Sequence, residues 1–283
     1  MIYQVPPGEC ITMTPEILSA MHKVQLEMLL EIDRICRKHN IKYWLDGGTL
    51  LGAARHQGFI PWDDDVDVLM FREDYARFCN VCIQELDDSK FFLQTAETDP
   101  AYRWAYGKMR RKGTRYVRSG QEHMTAATGV FADVIPMDGR PENDFVDYLQ
   151  YVVCKYARRV LWSPVGAIQD KSVVKRGLYK ILSQIPKDFV YHVYMNTATR
   201  YSPCNSRRIT WYSFIDKNHT GYMSKWFQGS VEMRFEGHSF PAPIGAHDVL
   251  TYLYGNYMEF PPLDQRHGNA SASLIELPDE LFE

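Results

Sequence analysis

Apolar positions recur at three- and four-residue spacing from Ile17 through Met21, Val24, Met28, Ile32 and Ile35. That pattern predicts one stripe of a long amphipathic helix. Thr14-Pro15-Glu16 reads as its start, with a capping hydroxyl, a proline at the first helical position and an acid in the first turn. Lys38-His39-Asn40 reads as its end, with bases at the C-terminus and an Asn suited to the left-handed cap. Ile41 to Leu45 is a short apolar strand broken by Asp46-Gly47-Gly48. Thr49 to Arg55 is helix-like and Gly58 to Trp62 a loop, while Val66 to Met70 is a second strand and Glu73 to Glu85 a second helix. Phe91 to Gln94 reads as a strand, residues 108–117 as a hairpin turning at Lys112-Gly113, and Gly129 to Ile135 as a strand stopped by Pro136.

From Asp144 to about Tyr201 the pattern changes to helices with basic faces, interrupted at Pro164 and Pro186. Short strands return at Ile209 to Phe214, Val231 to Phe235 and His238 to Phe240, followed by a helix at His247 to Tyr254 and a loop-rich tail from Pro261. The order predicts an α/β fold, a mixed sheet core with a helical insertion. Its expected divisions are 1–142 (catalytic core), 143–205 (basic helical insertion) and 206–283 (a segment packing on the core).

Composition narrows the class without naming a chemistry. A chain of 283 residues, 45% hydrophobic and 24% charged, buries a generous core and is neither collagenous nor disordered. No run of eighteen apolar residues predicts a membrane span. The first fourteen residues lack a basic segment followed by an apolar one, so a cytoplasmic location is expected. Cysteines at 10, 36, 79, 82, 154 and 204 are scattered, which suits a reduced compartment. Cys79 and Cys82 have no second pair at zinc spacing and read as two thiols one helical turn apart. The net charge of −3 hides an asymmetry: residues 151–210 carry eleven Lys/Arg against two Asp, which is +9, leaving −12 for the rest. Such a segment can mark a surface that meets an anionic partner.

The chemistry concentrates in Trp62-Asp63-Asp64-Asp65-Val66-Asp67-Val68, four carboxylates in five positions. A fold tolerates them together only when they are solvated or neutralised by cations. In a strand, Asp63, Asp65 and Asp67 project to one face while Val66 and Val68 pack the other. Two or three carboxylates on one face make a hard-oxygen site suited to Mg²⁺ or Mn²⁺. A calcium-binding helix–loop–helix is excluded because Val68 stands where its loop needs Gly, and Asp74 where a bidentate Glu is usual. Upstream, Asp46-Gly47-Gly48-Thr49 lies between a strand and a helix-like turn, where backbone amides can meet a phosphate, although a simple tight turn has the same composition. Arg55 and His56 lie between the two elements, as phosphate-neutralising groups or as bases at a helix end. Asp133 is the only acid in an apolar strand, and such a charge needs a metal or an ionic partner. Asp138, after Pro136, reads as a turn residue.

The run from Leu45 through Val68, with Asp46-Gly47-Gly48-Thr49 at one end and Trp62-Asp63-Asp64-Asp65-Val66-Asp67 at the other, resembles the signature of the LicD family. The likeness continues in residues 108–114, in Phe131 to Asp138, in Phe235-Glu236-Gly237, and in Leu253 to Met258 with Pro261-Pro262. It implies a nucleotidyltransferase-like fold, a CDP-activated donor and a divalent metal. The reaction implied is transfer of phosphocholine or a polyol phosphate to a hydroxyl of a glycan or lipid-linked glycan, with release of CMP. By the same likeness Asp65 and Asp67 are paired metal ligands, with Asp133 the third carboxylate. Asp63 binds a second metal or the acceptor hydroxyl, and Gly47, Gly48 and Thr49 line the diphosphate, neutralised by Arg55 and Lys108. Either Asp63 or Asp133 then takes the hydroxyl proton. A nucleotidylyltransferase that attaches NMP and releases pyrophosphate is the alternative enzyme. A calcium-binding module that uses the basic helices to hold a membrane or nucleic acid is the alternative without catalysis. The basic helices read as a peripheral contact with an anionic membrane surface, or else as a solvated helical face or a subunit contact, and nucleic acid is not expected, because no recognised binding motif accompanies the charges.

Overall fold

The stripe from Ile17 to Ile35 is buried along one side of α1 (Pro15–His39), with each of its six named residues at most 1% exposed. Thr14 caps the helix through its hydroxyl, and Asn40 closes it in the left-handed region at φ 52°. The protein, described by a computed structural model over residues 1–213, 221–268 and 272–282, continues with β2 (Trp44–Leu45), α2 (Gly47–Arg55), β3 (Asp67–Phe71) and α3 (Arg72–Glu85), after a short N-terminal strand β1 (Ile2–Gln4). Strands β4 (Phe91–Gln94), β5 (Gly107–Arg111), β6 (Arg115–Arg118) and β7 (Phe131–Gly139) follow. Then come helices α4 (Asp144–Gln169), α5 (Val173–Leu182) and α6 (Lys187–Ala198). The described residues close with β8 (Arg208–Thr210), β9 (Tyr222–Met223), β10 (Ser230–Phe235), β11 (His238–Pro243), α7 (Ala246–Tyr254) and β12 (Ala272–Glu276). Of the predicted strand at 209–214, Phe214 lies outside the described residues.

The central sheet runs β2-β3-β7-β5-β4, with β3 and β7 parallel and the other neighbours antiparallel, so the fold is α/β with a mixed sheet. Its core cluster draws on residues from Ile17 to Leu277 but on none between 143 and 205. The helical segment has a smaller cluster of its own around Cys154, Leu161, Val190 and Tyr194, joined to the main body by Ala105 and Tyr212.

Five expectations fail, four of them for a tertiary reason and one, at Pro164, for a local one. Residues 108–117 are not a hairpin: β5 pairs with β4 and β7, whereas β6 pairs with β12 from the C-terminal tail. That tail is therefore not merely loop, since β12 is the middle strand of a second sheet, β1-β12-β6. Pro136 does not stop β7. It falls between residues 131–134, which pair with β5, and 138–139, which pair with β8, so on that side no ladder bond is asked of it. Pro164 does not break α4 either. The Ser163 hydroxyl donates at 2.6 Å to the Val160 carbonyl, which Pro164 has no N–H to serve. Asp138, expected in a turn, is a fully buried strand residue that accepts two hydrogen bonds from Arg72, at 2.7 and 2.6 Å.

Candidate active site

Strand β3 begins only at Asp67, so residues 63–66 run as a loop and strand alternation does not align Asp63 and Asp65 with Asp67. Backbone anchors set the loop instead. His22 donates to the Asp63 carbonyl at 2.8 Å, and Gln25, a polar side chain on the apolar face of α1, donates to that of Asp64 at 2.7 Å. The preceding residues are held by Glu236, whose carboxylate accepts from the Phe59 N–H at 3.0 Å, and by His22, stacked on the Phe59 ring at 4.0 Å. Glu236 thus gives the Phe235-Glu236-Gly237 motif a physical role: it ties the β10–β11 turn to the approach of the acid loop.

Register supplies the next row. Asp67 lies opposite Asp133 on the parallel neighbour, and Asp133 lies opposite Lys108 on β5. Directly opposed residues project to the same face of a sheet. Asp133 and Lys108 are buried and ion-paired, and the Lys108 ammonium sits 3.5 Å over the Phe131 ring. Lys108 is therefore engaged by Asp133 rather than held ready for a diphosphate. Burial pulls its ammonium down to about 7, with Asp133 opposing that shift.

A cavity of about 710 Å³ opens beside this row, with Asp46, Asp63, Asp65 and Asp67 on its wall. Gly47 and Gly48, the first residues of α2, form its floor. A Cβ at Gly48 would lie 2.0 Å from Asp63 Oδ2, so only glycine permits this approach, and Gly47 takes φ +53°. Thr49 does not line the cavity. Its hydroxyl accepts from the Asp67 N–H at 2.9 Å and fastens α2 to β3. Arg55 does line it, while donating to the carbonyls of Tyr257 and Glu259 at 2.9 and 3.0 Å and stacking on Phe260. His56 packs edge-on against Trp62 and Phe260 and is not part of the wall.

The acids raise one another. Burial, reinforced by Asp65 and Asp64, pushes Asp63 up to about 8. Burial, with Asp64 and Asp133 nearby, pushes Asp65 up to about 6, and burial reinforced by Asp65 and Asp133 drives Asp67 well above the carboxylate range. Asp46, quoted in the glycine turn but given no role of its own from sequence, is buried, pushed up to about 7 by desolvation, and has a buried Oδ1 with no hydrogen-bond partner. Among the described residues one carboxylate oxygen from each of Asp63, Asp64 and Asp65 gathers within 4.8 Å, a trio that differs from the expected Asp65, Asp67 and Asp133. Four aspartates on one cavity wall, one of them with an orphaned buried oxygen, fit a hard divalent cation.

On the other side of Lys108 lies a smaller cavity of about 40 Å³, walled by Tyr102, Trp104 and Phe131 and by the cations Lys108, Arg110 and Arg118. Arg118 Nε is buried without a hydrogen-bond partner, and its charge and that of Lys108 draw Asp65 downward. Sequence reading gave no site role to Asp46 and passed over Gln25 and Arg118. A polar Gln within an apolar helical stripe was a visible signal, whereas nothing in the local sequence distinguishes Arg118.

Residues 40–140 match the family LicD/FKTN/FKRP, nucleotidyltransferase domain. The chain is 30% identical over 258 residues, 84% of its length and 90% of the relative's, to the lipopolysaccharide cholinephosphotransferase LicD of Haemophilus influenzae. It belongs to the LicD family. The chain also shares 62% identity over 34 residues with the ribitol 5-phosphate transferase FKRP of Homo sapiens, 12% of this chain and 7% of that one. An uncharacterized Rickettsia prowazekii protein is 31% identical over 46% of this chain and 45% of its own length. The two named relatives are phospho-substituent transferases, and this chain is a transferase of that kind.

Proposed function

We propose that the protein moves a phospho-substituent, phosphocholine first among those to test, from a CDP-activated donor to a glycan hydroxyl and releases CMP. The observation that carries this reading is the single cavity whose wall joins Asp46, Asp63, Asp65 and Asp67 to the glycine floor at Gly47 and Gly48. Asp65 and Asp67, with Asp46 beside them, would hold Mg²⁺ or Mn²⁺; Asp133, engaged by Lys108, would border that set. Bound there, the cation would neutralise charge on the diphosphate. The backbone at Gly47 and Gly48 and the guanidinium of Arg55 fit a phosphate group on the donor. The acceptor oxygen attacks the phosphorus bearing the substituent, the bond from that phosphorus to the bridging oxygen breaks, and CMP departs. The hydroxyl proton passes to a carboxylate. Asp63 lines the cavity and Asp133 does not, which favours Asp63 for this step. The basic helices suit contact with an anionic membrane surface, within reach of a lipid-linked acceptor.

The test incubates the protein and Mg²⁺ with CDP-choline, CDP-ribitol and CDP-glycerol, with and without glycan acceptors. CMP release from one donor, stimulated by an acceptor and abolished by a chelator, is the expected outcome. Release of pyrophosphate from a nucleoside triphosphate, with no CMP from any CDP-alcohol, would overturn the reading in favour of nucleotidylyl transfer.

A further inference from the structure

Helix α5 wears its apolar side outward. It has no buried residue, and Val174, Leu178 and Ile181, spaced i, i+4, i+7, are 83%, 53% and 69% exposed. Ile168 at the end of α4 and Val173 extend the patch. The opposite side of the helix is firmly seated. Tyr179 meets the Trp162 ring edge-on at 5.4 Å, across Gly166, where a Cβ would lie 2.4 Å from Trp162. The outward face is therefore a fixed feature of a docked helix. Lys171, Lys175 and Lys180 are exposed around it, and among the described residues none pairs with an acid. Not every base of the segment behaves this way: Arg158 is half-buried among Tyr194, Tyr106 and Tyr151.

A contiguous aliphatic patch ringed by lysines suits a helix lying in a lipid headgroup layer, with the apolar side chains dipping in and the ammonium groups at the phosphates. Charge complementarity selects the occupant, because eleven bases stand against two acids in residues 151–210. We propose that α5 docks in the plane of an anionic bilayer, with Val174, Leu178 and Ile181 inserted and Lys171, Lys175 and Lys180 on the headgroups. Among the described residues no helix is long and apolar enough to cross a membrane, so the contact is peripheral. The end of α4 that leads into α5 is fastened to the catalytic body. Gln169 donates to the Ser119 carbonyl, and Arg103 donates to that of Leu161 at 2.8 Å. Ser119 follows Arg118, a wall residue of the smaller cavity, so the junction that leads into the docked helix is tied to the catalytic body at that cavity's edge. The placement deepens the proposed transferase reading by identifying the acceptor as one presented at a lipid surface.

The test is vesicle binding by the full chain. Wild type should sediment with vesicles of 30% phosphatidylglycerol at low salt, bind pure phosphatidylcholine at least about tenfold more weakly, and lose affinity as salt rises. Each lysine contributes about fivefold near such a surface, so Lys171→Glu with Lys175→Glu should weaken binding more than tenfold. Leu178→Ser with Ile181→Ser should do the same without changing the melting temperature or CMP release from a soluble donor. In Leu178→Trp the emission should shift to the blue on anionic vesicles and be quenched by bromolipid. No binding of wild type at low salt, or binding indifferent to Leu178→Ser with Ile181→Ser, overturns the proposal. So does a wild-type dimer that Leu178→Glu disperses in the absence of lipid, which would assign the face to a second copy. Intact vesicle binding with no CMP release from any donor would instead sink the CDP-donor reading and leave this one standing.

Discussion

The two ends of β7 each bury an aspartate beside a cation, and they are built to opposite plans. At Asp138 the balance is one to one: its carboxylate takes both hydrogen bonds of the Arg72 guanidinium, and the pair sits at 0% and 14% side-chain exposure. At Asp133 the balance is broken. Lys108 engages that carboxylate, but Asp65, Asp46 and Asp63 join Asp133 in raising the buried Asp67 on the neighbouring strand. A matched buried pair sustains a fold and offers nothing to a ligand. A surplus of buried acid costs the fold stability and is retained where a cation can offset it.

The sharpest break of this contrast is Arg72→Met, which leaves Asp138 buried without its counterion. We expect a loss of about 3–5 kcal/mol in denaturant unfolding, the range for an uncompensated buried charge, with metal affinity retained in the fraction that folds. A small stability loss would mean that Asp138 is not the structural end of the strand.

At the other end the signs reverse. Asp67→Asn and Asp65→Asn should lower turnover at least about a hundredfold, the scale seen when a principal electrostatic contribution is removed. Melting temperature should hold or rise, because one of several repelling carboxylates is gone. Near wild-type CMP release from either variant would remove it from the catalytic set, and a large fall in melting temperature would make the two ends of β7 alike.

The smallest effect is one of pH. In the fold burial pushes Asp46 up to about 7, and burial with neighbouring acids pushes Asp65 up to about 6 and Asp63 up to about 8, against about 4 in an unfolded chain. Between those values the folded state holds more protons than the unfolded one. The stability these groups contribute is complete below about pH 4 and is lost as pH rises through 6 to 8. Without divalent metal the melting temperature should fall by a few degrees between pH 5 and 8, and millimolar Mg²⁺ should restore most of that fall. A melting temperature indifferent to both pH and Mg²⁺ across this range would show that the acids are not crowded as described.

Much of this protein was legible before its fold was known. The caps and stripe of α1 are local, so Thr14, Pro15 and Asn40 announced its ends. Four acids in five positions pointed to carboxylates that are either solvated or offset by a cation, and three of them, Asp63, Asp65 and Asp67, line the cavity. What escaped local reading depends on partners distant in the chain. Asp138 looked like a turn because Arg72 lies 66 residues away, and the strands around Lys112-Gly113 looked like a hairpin because β12 arrives from the C-terminus to pair with β6. The acids were expected to share a strand face, yet anchors on α1 and the β10–β11 turn hold Asp63 to Asp65 in a loop beside Asp67. Sequence by itself determined which side chains this protein possesses in excess, acids in one stretch and bases in another. Tertiary structure decided which of those charges are cancelled and which are left facing a cavity or a surface, because cancellation is a matter of distance and burial, and neither is a property of neighbouring residues alone.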